Sequence, residues 1–300
     1  MNSFLESERI DLNTICFQII SSADLVLVGL GEEMNDHKRI MAMPEYGRGK
    51  QFLEENGLLY LLPAWNEFCS GKLSDIVTPA LEKLSRLIAD KNSFVLSTAT
   101  DGRIAQNPWK HDRLVMPCGQ TSLKQCAEMC LEKEAEQAGA EAQPIEAPGH
   151  AKEQGEGKHS IVSVTEGDRA ALRSFFEALF CGEAKVPETP LLGSCPDCGA
   201  PYVLNTVCAD SYNEASYLDK WSLYRRWLQG TINRKVVLLE LGVGLEFPSV
   251  IRWPFEKIAF YNQKATLIRV HEKLYQLPED LSGRGISVAL DALSWLGGLQ

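Results

Sequence analysis

Four of the nine cysteines stand in two close pairs, Cys126-x3-Cys130 and Cys195-Pro196-Asp197-Cys198-Gly199. Two such pairs let four thiolates converge on one Zn²⁺ ion, each at ~2.3 Å, in a closed tetrahedron. The Cys-Pro-x-Cys-Gly turn is the stronger signal, because glycine lets backbone amides point at sulfur. The first pair is spaced by one helical turn, which also brings together two ordinary buried thiols. Unligated thiols or a redox pair are the alternative to a metal. An ion with four protein ligands has no open position, so Cys126, Cys130, Cys195 and Cys198 predict a structural zinc and not a catalytic one. Cys16 falls on the apolar face of an expected helix. Cys69, Cys181 and Cys208 have no partner of this kind, and all four read as small hydrophobes.

Two glycine pairs form the second set. Asp24–Val28 is a short apolar run that ends in Gly29-Leu30-Gly31, followed by Glu32-Glu33. Val236–Leu239 is another, and it runs on into Gly242-Val243-Gly244. Glycine after the first strand lets backbone amides approach a pyrophosphate, as at the start of a dinucleotide site, and the second pair lets the backbone turn sharply and come close to a ligand. The third glycine of the fuller fingerprint is missing, and two glutamates follow where a phosphate prefers no negative charge. An ordinary strand-to-helix turn explains the same residues.

The elements that must position these residues follow from periodicity. Leu12, Ile15, Cys16, Ile19 and Ile20 predict a helix near 11–22. Residues 35–77 are expected as helices and a loop over the sheet edge. Thr78 with Pro79 reads as an N-cap and first helical residue, leading into the face Leu81, Leu84, Leu87 and Ile88. Phe94–Leu96 is a buried strand ending in Ser97-Thr98-Ala99-Thr100-Asp101-Gly102. Arg113–Met116 is another, ending in Pro117-Cys118-Gly119. Ala265–Val270 is a fifth strand, and a closing helix is expected over 283–296 with Ile286, Leu290 and Leu293 on one face. A helix is also expected around Leu172, Phe175, Phe176, Leu179 and Phe180. Strands alternating with helices predict an α/β fold, a Rossmann-like doubly wound parallel sheet. Residues 120–206 interrupt it as a small zinc-binding module, leaving 1–119 and 207–300 as the main domain. Within the interruption, 131–159 carry seven acids against three Lys/Arg and no Phe, Trp or Tyr. Such a segment cannot bury enough apolar surface to offset its ordering entropy, so disorder is expected there.

A net charge of -10 argues against a general nucleic-acid surface, while 45% hydrophobic residues suffice for a core. No apolar run approaches the ~20 residues of a membrane span. The N-terminus lacks the pattern of a signal peptide, which makes a cytoplasmic location the expectation. In a reducing compartment nine cysteines suggest metal ligands before disulfides.

The order strand–glycine turn, strand with polar end, strand, two cysteine pairs, strand–glycine turn resembles the sirtuins. The closest likeness is to the bacterial branch associated with macrodomain proteins (class M), carried by Glu240-Leu241-Gly242-Val243-Gly244, Pro248, Ile251-Arg252 and Pro254-Phe255-Glu256. Gln125-Cys126 and Ser194–Pro201 also match. The resemblance implies an NAD-dependent protein-modifying enzyme, a protein-lysine deacylase or protein mono-ADP-ribosyltransferase that releases nicotinamide. It implies NAD and structural zinc as cofactors and a protein as substrate. Carried over residue by residue, it gives cofactor contacts at Gly29, Gly31, Glu33, Thr98, Asp101, Gly242, Gly244 and His271. Cys118 and Asp101 become the candidate catalytic residues. The departures fall on chemistry. The family's Thr-x-Asn-x-Asp element has Ala99 in place of asparagine. A histidine (glutamine in class M) is replaced by Cys118, and an adenosine-ribose asparagine by His271. Cysteine acts as a base only as thiolate, near its unperturbed pKa of ~8.5 unless a neighbour lowers it. A catalytically degenerate module that binds NAD, ADP-ribose or a protein without turnover is therefore the alternative. A third reading makes Cys118 a nucleophile in unrelated chemistry, with His111 near it in sequence.

Overall fold

A computed structural model describes residues 2–110, 112–130, 161–188, 190–281 and 283–298. The acidic segment 131–159 and His111 lie outside the described residues.

Six strands form a parallel sheet: β1 (Leu25–Leu30), β2 (Asn92–Ser97), β3 (Leu114–Val115), β7 (Val236–Leu241), β8 (Ala265–Val270) and β9 (Gly285–Val288). Their order is β3-β2-β1-β7-β8-β9. The chain winds outward in one direction from β1 and in the other from β7, so the switch point lies between those two strands, where ligands bind doubly wound sheets. Every residue of β1 and of β7 is buried. Val26, Val28 and Leu30 pack on one face with the helices Asn2–Ser22, Val77–Leu87 and Ala292–Gly298. Leu25 and Leu27 pack on the other with Phe94, Trp227 and Phe255. Burial on both faces is why these strands show no polar alternation.

A second sheet is antiparallel, in the order β5-β4-β6, with β4 at Gly119–Cys126, β5 at Ile161–Ser163 and β6 at Tyr202–Thr206. It begins at Gly119, one residue before the interruption expected over 120–206, and ends at Thr206. Its core also takes in Tyr46, Leu53, Leu61 and Trp65, which pack against Phe175, Phe176 and Leu179 of the helix Glu166–Cys181. That helix begins with a capping box between Thr165 and Asp168.

Four expectations need correction. Residues 283–296 are not one helix: Gly285–Val288 pairs in parallel with β8, and the helix starts at Ala292. Ile286, Val288 and Leu290 alternate along the backbone, and that period of two prevails over the helical spacing of 286, 290 and 293. Asp75, not Thr78, caps the next helix, its Oδ1 accepting the amides of Val77 and Thr78 at 3.0 and 3.1 Å. The helices of 35–77 pack largely on the small sheet's helix and not over the edge of the large sheet, with Tyr46 and Trp65 in that core as aromatics of this kind usually are. Cys181 is exposed and so does not serve as a core hydrophobe.

Candidate functional site

The ends of β1 and β7 meet backbone to backbone. Gly31 donates its amide to Leu241 O at 2.9 Å, and Glu33 donates to Gly242 O at 3.3 Å. A Cβ at Gly31 would lie 2.3 Å from Gly242 O. Gly242 takes a left-handed φ of 64°, and a Cβ there would lie 2.4 Å from Glu33 Cβ. The two glycines thus serve close approach of the chain to itself. Gly29 lies inside β1, where a Cβ would lie 2.4 Å from Ile251 Cγ2, so its absent side chain admits the helix Arg252–Tyr261.

The two glutamates after Gly31 turn toward the backbone donors around them. Glu32 Oε2 accepts the Gly244 amide at 2.7 Å. Glu33 Oε1 accepts the Glu272 amide at 3.0 Å, and its Oε2 accepts the Ala292 amide at 2.9 Å. The first turn of the chain after β1 is therefore tied to the ends of β7 and β8 and to the last helix. Burial pushes the Glu33 carboxyl up to about 7, against the pull of those amides.

His271 follows β8 directly. Its Nδ1 accepts two amides, from Lys273 and Leu274, each at 3.1 Å. That fixes the tautomer of the neutral ring, with its hydrogen on Nε2. Burial, with Arg252 beside it, brings the imidazole down to about 4. Glu33 Oε1 lies 3.0 Å from the same Nδ1, a contact that is attractive when the carboxyl carries the proton. Glu32, Glu33, Gly244, Glu246, His271 and Glu272 line a cleft of about 500 Å³ here, with His37, Lys38 and Lys273 as its basic groups.

The remaining sequence candidates fall as follows. Thr98 donates its hydroxyl to Leu30 O at 3.3 Å and its amide to the same oxygen at 2.9 Å, which locks β2 to β1. Asp101 is 2% exposed and gripped by Arg103, whose Nη2 lies 2.6 Å from Oδ2. It also caps the short helix Gly102–Gln106. Cys118 is buried, and burial, with Glu246 and Glu32 adding to it, pushes its thiol up to about 12. At neutral pH it is an uncharged thiol. The structure thus brings Gly31, Glu33, Gly242, Gly244 and His271 together, and turns Asp101 toward a separate cluster.

That cluster holds a residue that sequence reasoning missed. Glu67 Oε1 accepts the Gly102 amide at 2.5 Å and the Thr121 hydroxyl. Burial, and Asp101 second, push its carboxyl up to about 8. Nothing in the local sequence marks it, since its neighbours come from residues 101–103 and 121. Glu32 was legible as a charge after the glycines, but its role as acceptor for Gly244 was not.

The four paired cysteines converge. Cys126 and Cys130 lie at the end of β4, and Cys195 and Cys198 on the turn closed by Gly199 at φ 75°. Cys130 Sγ lies 3.2, 3.3 and 3.1 Å from the sulfurs of Cys126, Cys195 and Cys198. All four sulfurs lie within 4.8 Å of one another. A tetrahedron with bonds of ~2.3 Å has edges of ~3.8 Å, so the donor set fits a thiolate-ligated ion after slight expansion.

A Rossmann-type sheet interrupted by a four-cysteine module is the arrangement of the sirtuins, and the chain has the Sir2-like fold. It superposes on a Sir2 point mutant in complex with a p53 peptide and NAD with a TM-score of 0.51, at 12% identity over 95% of each chain. It superposes on a triple mutant of a Sir2 homologue bound to 2'-O-acetyl ADP ribose with a TM-score of 0.50, at 11% identity over 94% of this chain and 92% of that one. In sequence, 103 residues, 34% of the chain, are 26% identical to a protein ADP-ribosyltransferase of Staphylococcus aureus. A further match of 183 residues, 60% of the chain, is 25% identical to a probable bifunctional ADP-ribose hydrolase/ADP-ribosyltransferase of Fusarium oxysporum f. sp. cubense. The matches span 33% and 26% of those two proteins, so the chain covers about a third and a quarter of their lengths. No family model matches the chain.

Proposed function

We propose that the chain is a sirtuin-type, NAD-dependent protein-modifying enzyme that transfers ADP-ribose to a protein and releases nicotinamide. The observation that carries this is a pair of backbone amides in the cleft. Gly244 after β7 and Glu272 after β8 present N–H groups there, and each already holds a carboxylate oxygen. Donors that hold carboxylates fit the oxygens of a pyrophosphate. The likeness to named ADP-ribosyltransferases supports the same class.

In this reading Gly244 and the loop after β1 hold the pyrophosphate, and His271 offers its Nε2–H to a ribose hydroxyl. Bound NAD supplies an electrophilic ribose carbon with nicotinamide as its leaving group. Deacylation further needs a base on a ribose hydroxyl, and a Cys118 thiol pushed up to about 12 is a poor one. Transfer, with a nucleophile brought by the target protein, makes no such demand on Cys118. The four cysteines hold a structural zinc, and all nine being unbridged suits a reducing cytoplasm.

One observation favours binding without turnover. Ala99 is 1% exposed and stands where an asparagine amide is expected, and its methyl group can neither donate nor accept a hydrogen bond. Titration calorimetry of NAD, with nicotinamide release measured on the same sample, decides between the two. Binding with release and a modified acceptor protein supports transfer. Binding without release leaves a sensor or scaffold.

A further inference from the structure

Glu32 and Glu33 are adjacent, yet their carboxylates are committed differently. Glu33 gives one oxygen to Glu272 and the other to Ala292, both on the backbone, and acts as a clasp. Glu32 reaches into the cleft and accepts the amide of Gly244 at 2.7 Å. A Cβ on Gly244 would lie 2.9 Å from the same Oε2, so the space that glycine leaves open is filled by this carboxylate. Glu246 shares the cleft, and its carboxyl is held above the usual range by burial first and by Glu32 second. Like charges thus crowd the position that Glu32 occupies.

We propose that Glu32 is an internal competitor for the pyrophosphate of a dinucleotide, sitting on the Gly244 amide and setting the affinity of the cleft, an inference that rests on the dinucleotide reading above. One N–H cannot serve a carboxylate and a phosphate oxygen at once, and a dianion beside Glu32 is repelled. The ligand enters only when Glu32 swings off Gly244. A ligand with the nucleoside but no phosphate has no claim on Gly244 and is indifferent to Glu32.

The test is calorimetric titration of ADP-ribose and of adenosine into the full chain and its E32A and E32Q variants. Loss of a charged competitor predicts about tenfold tighter ADP-ribose binding for E32A, with a smaller gain for E32Q, which keeps an acceptor oxygen. Adenosine affinity stays within twofold of the parent (~0.4 kcal/mol). E32Q is nearly isosteric and covers the case in which E32A folds poorly. If the parent binds ADP-ribose and neither variant tightens, the competitor is refuted while the dinucleotide reading stands. If adenosine tightens as much as ADP-ribose, Glu32 acts by narrowing the cleft and the competition for Gly244 is refuted. If no protein binds ADP-ribose at millimolar concentration, the dinucleotide reading fails and takes the inference with it.

Discussion

Glu240 and Arg269 face each other in register on the neighbouring parallel strands β7 and β8, both fully buried. Arg269 donates through Nε to Glu240 Oε2 at 2.5 Å and through Nη2 to Oε1 at 3.1 Å. Its Nη2 also reaches Glu256 at 2.7 Å, and its Nη1 the carbonyl of Gln276. Arg252 extends the network to the carbonyls of Val243 and Leu274. Three residues of the motif that suggested a family, Glu240, Arg252 and Glu256, therefore belong to a charge network that fixes the loops around the cleft. Removing one member strands a buried charge, so Arg269→Met is expected to cost about 3–5 kcal/mol in urea unfolding. The double variant Glu240→Leu with Arg269→Met is expected to recover most of that loss. Additive costs would show that the pair is not the stabilising unit.

Gly29 is a packing residue in this structure. A Cβ 2.4 Å from Ile251 Cγ2 forces the helix Arg252–Tyr261 outward, so Gly29→Ala is expected to lose about 1–3 kcal/mol. In an Ile251→Ala background the same change should cost clearly less. An equal cost in both backgrounds would point to something other than this contact.

Glu33 and Glu67 give stability a definite pH dependence. Both carboxyls are raised on folding, from 4.5 to about 7 and about 8, so the folded state binds more protons than the unfolded one in that window. Their contribution is fully present below pH ~4.5 and is lost as pH rises through the folded values. The thermal midpoint is expected to fall between pH 5 and pH 8. Glu67→Gln, which stays neutral, should flatten that slope, and an unchanged slope would exclude Glu67 as its source.

The cysteine cluster predicts one bound metal ion per chain by elemental analysis. Cys195→Ser should lose it and lower the thermal midpoint, as chelation should, because ligand binding and folding of a small module are coupled. Cys181→Ser, on an exposed thiol, should retain the metal.

Thiol labelling separates the remaining cysteines. Iodoacetamide should modify exposed Cys181 in the native protein, while Cys118, 2% exposed and held as a neutral thiol, should react only on unfolding. Rapid native labelling of Cys118 would restore it as a candidate nucleophile.

Much of this protein was legible along the chain because its signals are local. Short apolar runs at β1, β2 and β7 declared buried strands. The Cys-Pro-x-Cys-Gly turn declared a thiolate site, since its geometry lies within five residues. The strand β9 was misread because Ile286, Leu290 and Leu293 satisfy a helical period by coincidence, and only pairing with β8 decides between the two. The sequence by itself determined the alternation of strands and helices, the two glycine turns and the two cysteine pairs. Only the tertiary structure decided which glycine faces what, because a missing Cβ gains meaning from its neighbour: Ile251 at Gly29, Gly242 at Gly31, Glu32 at Gly244. It also decided that Glu32 and Glu33 accept backbone amides more than two hundred residues away, that Asp101 belongs to Arg103, and that Cys118 is a sealed thiol. Charge and proton affinity are set by burial and by distant partners, and neither is written in the order of residues.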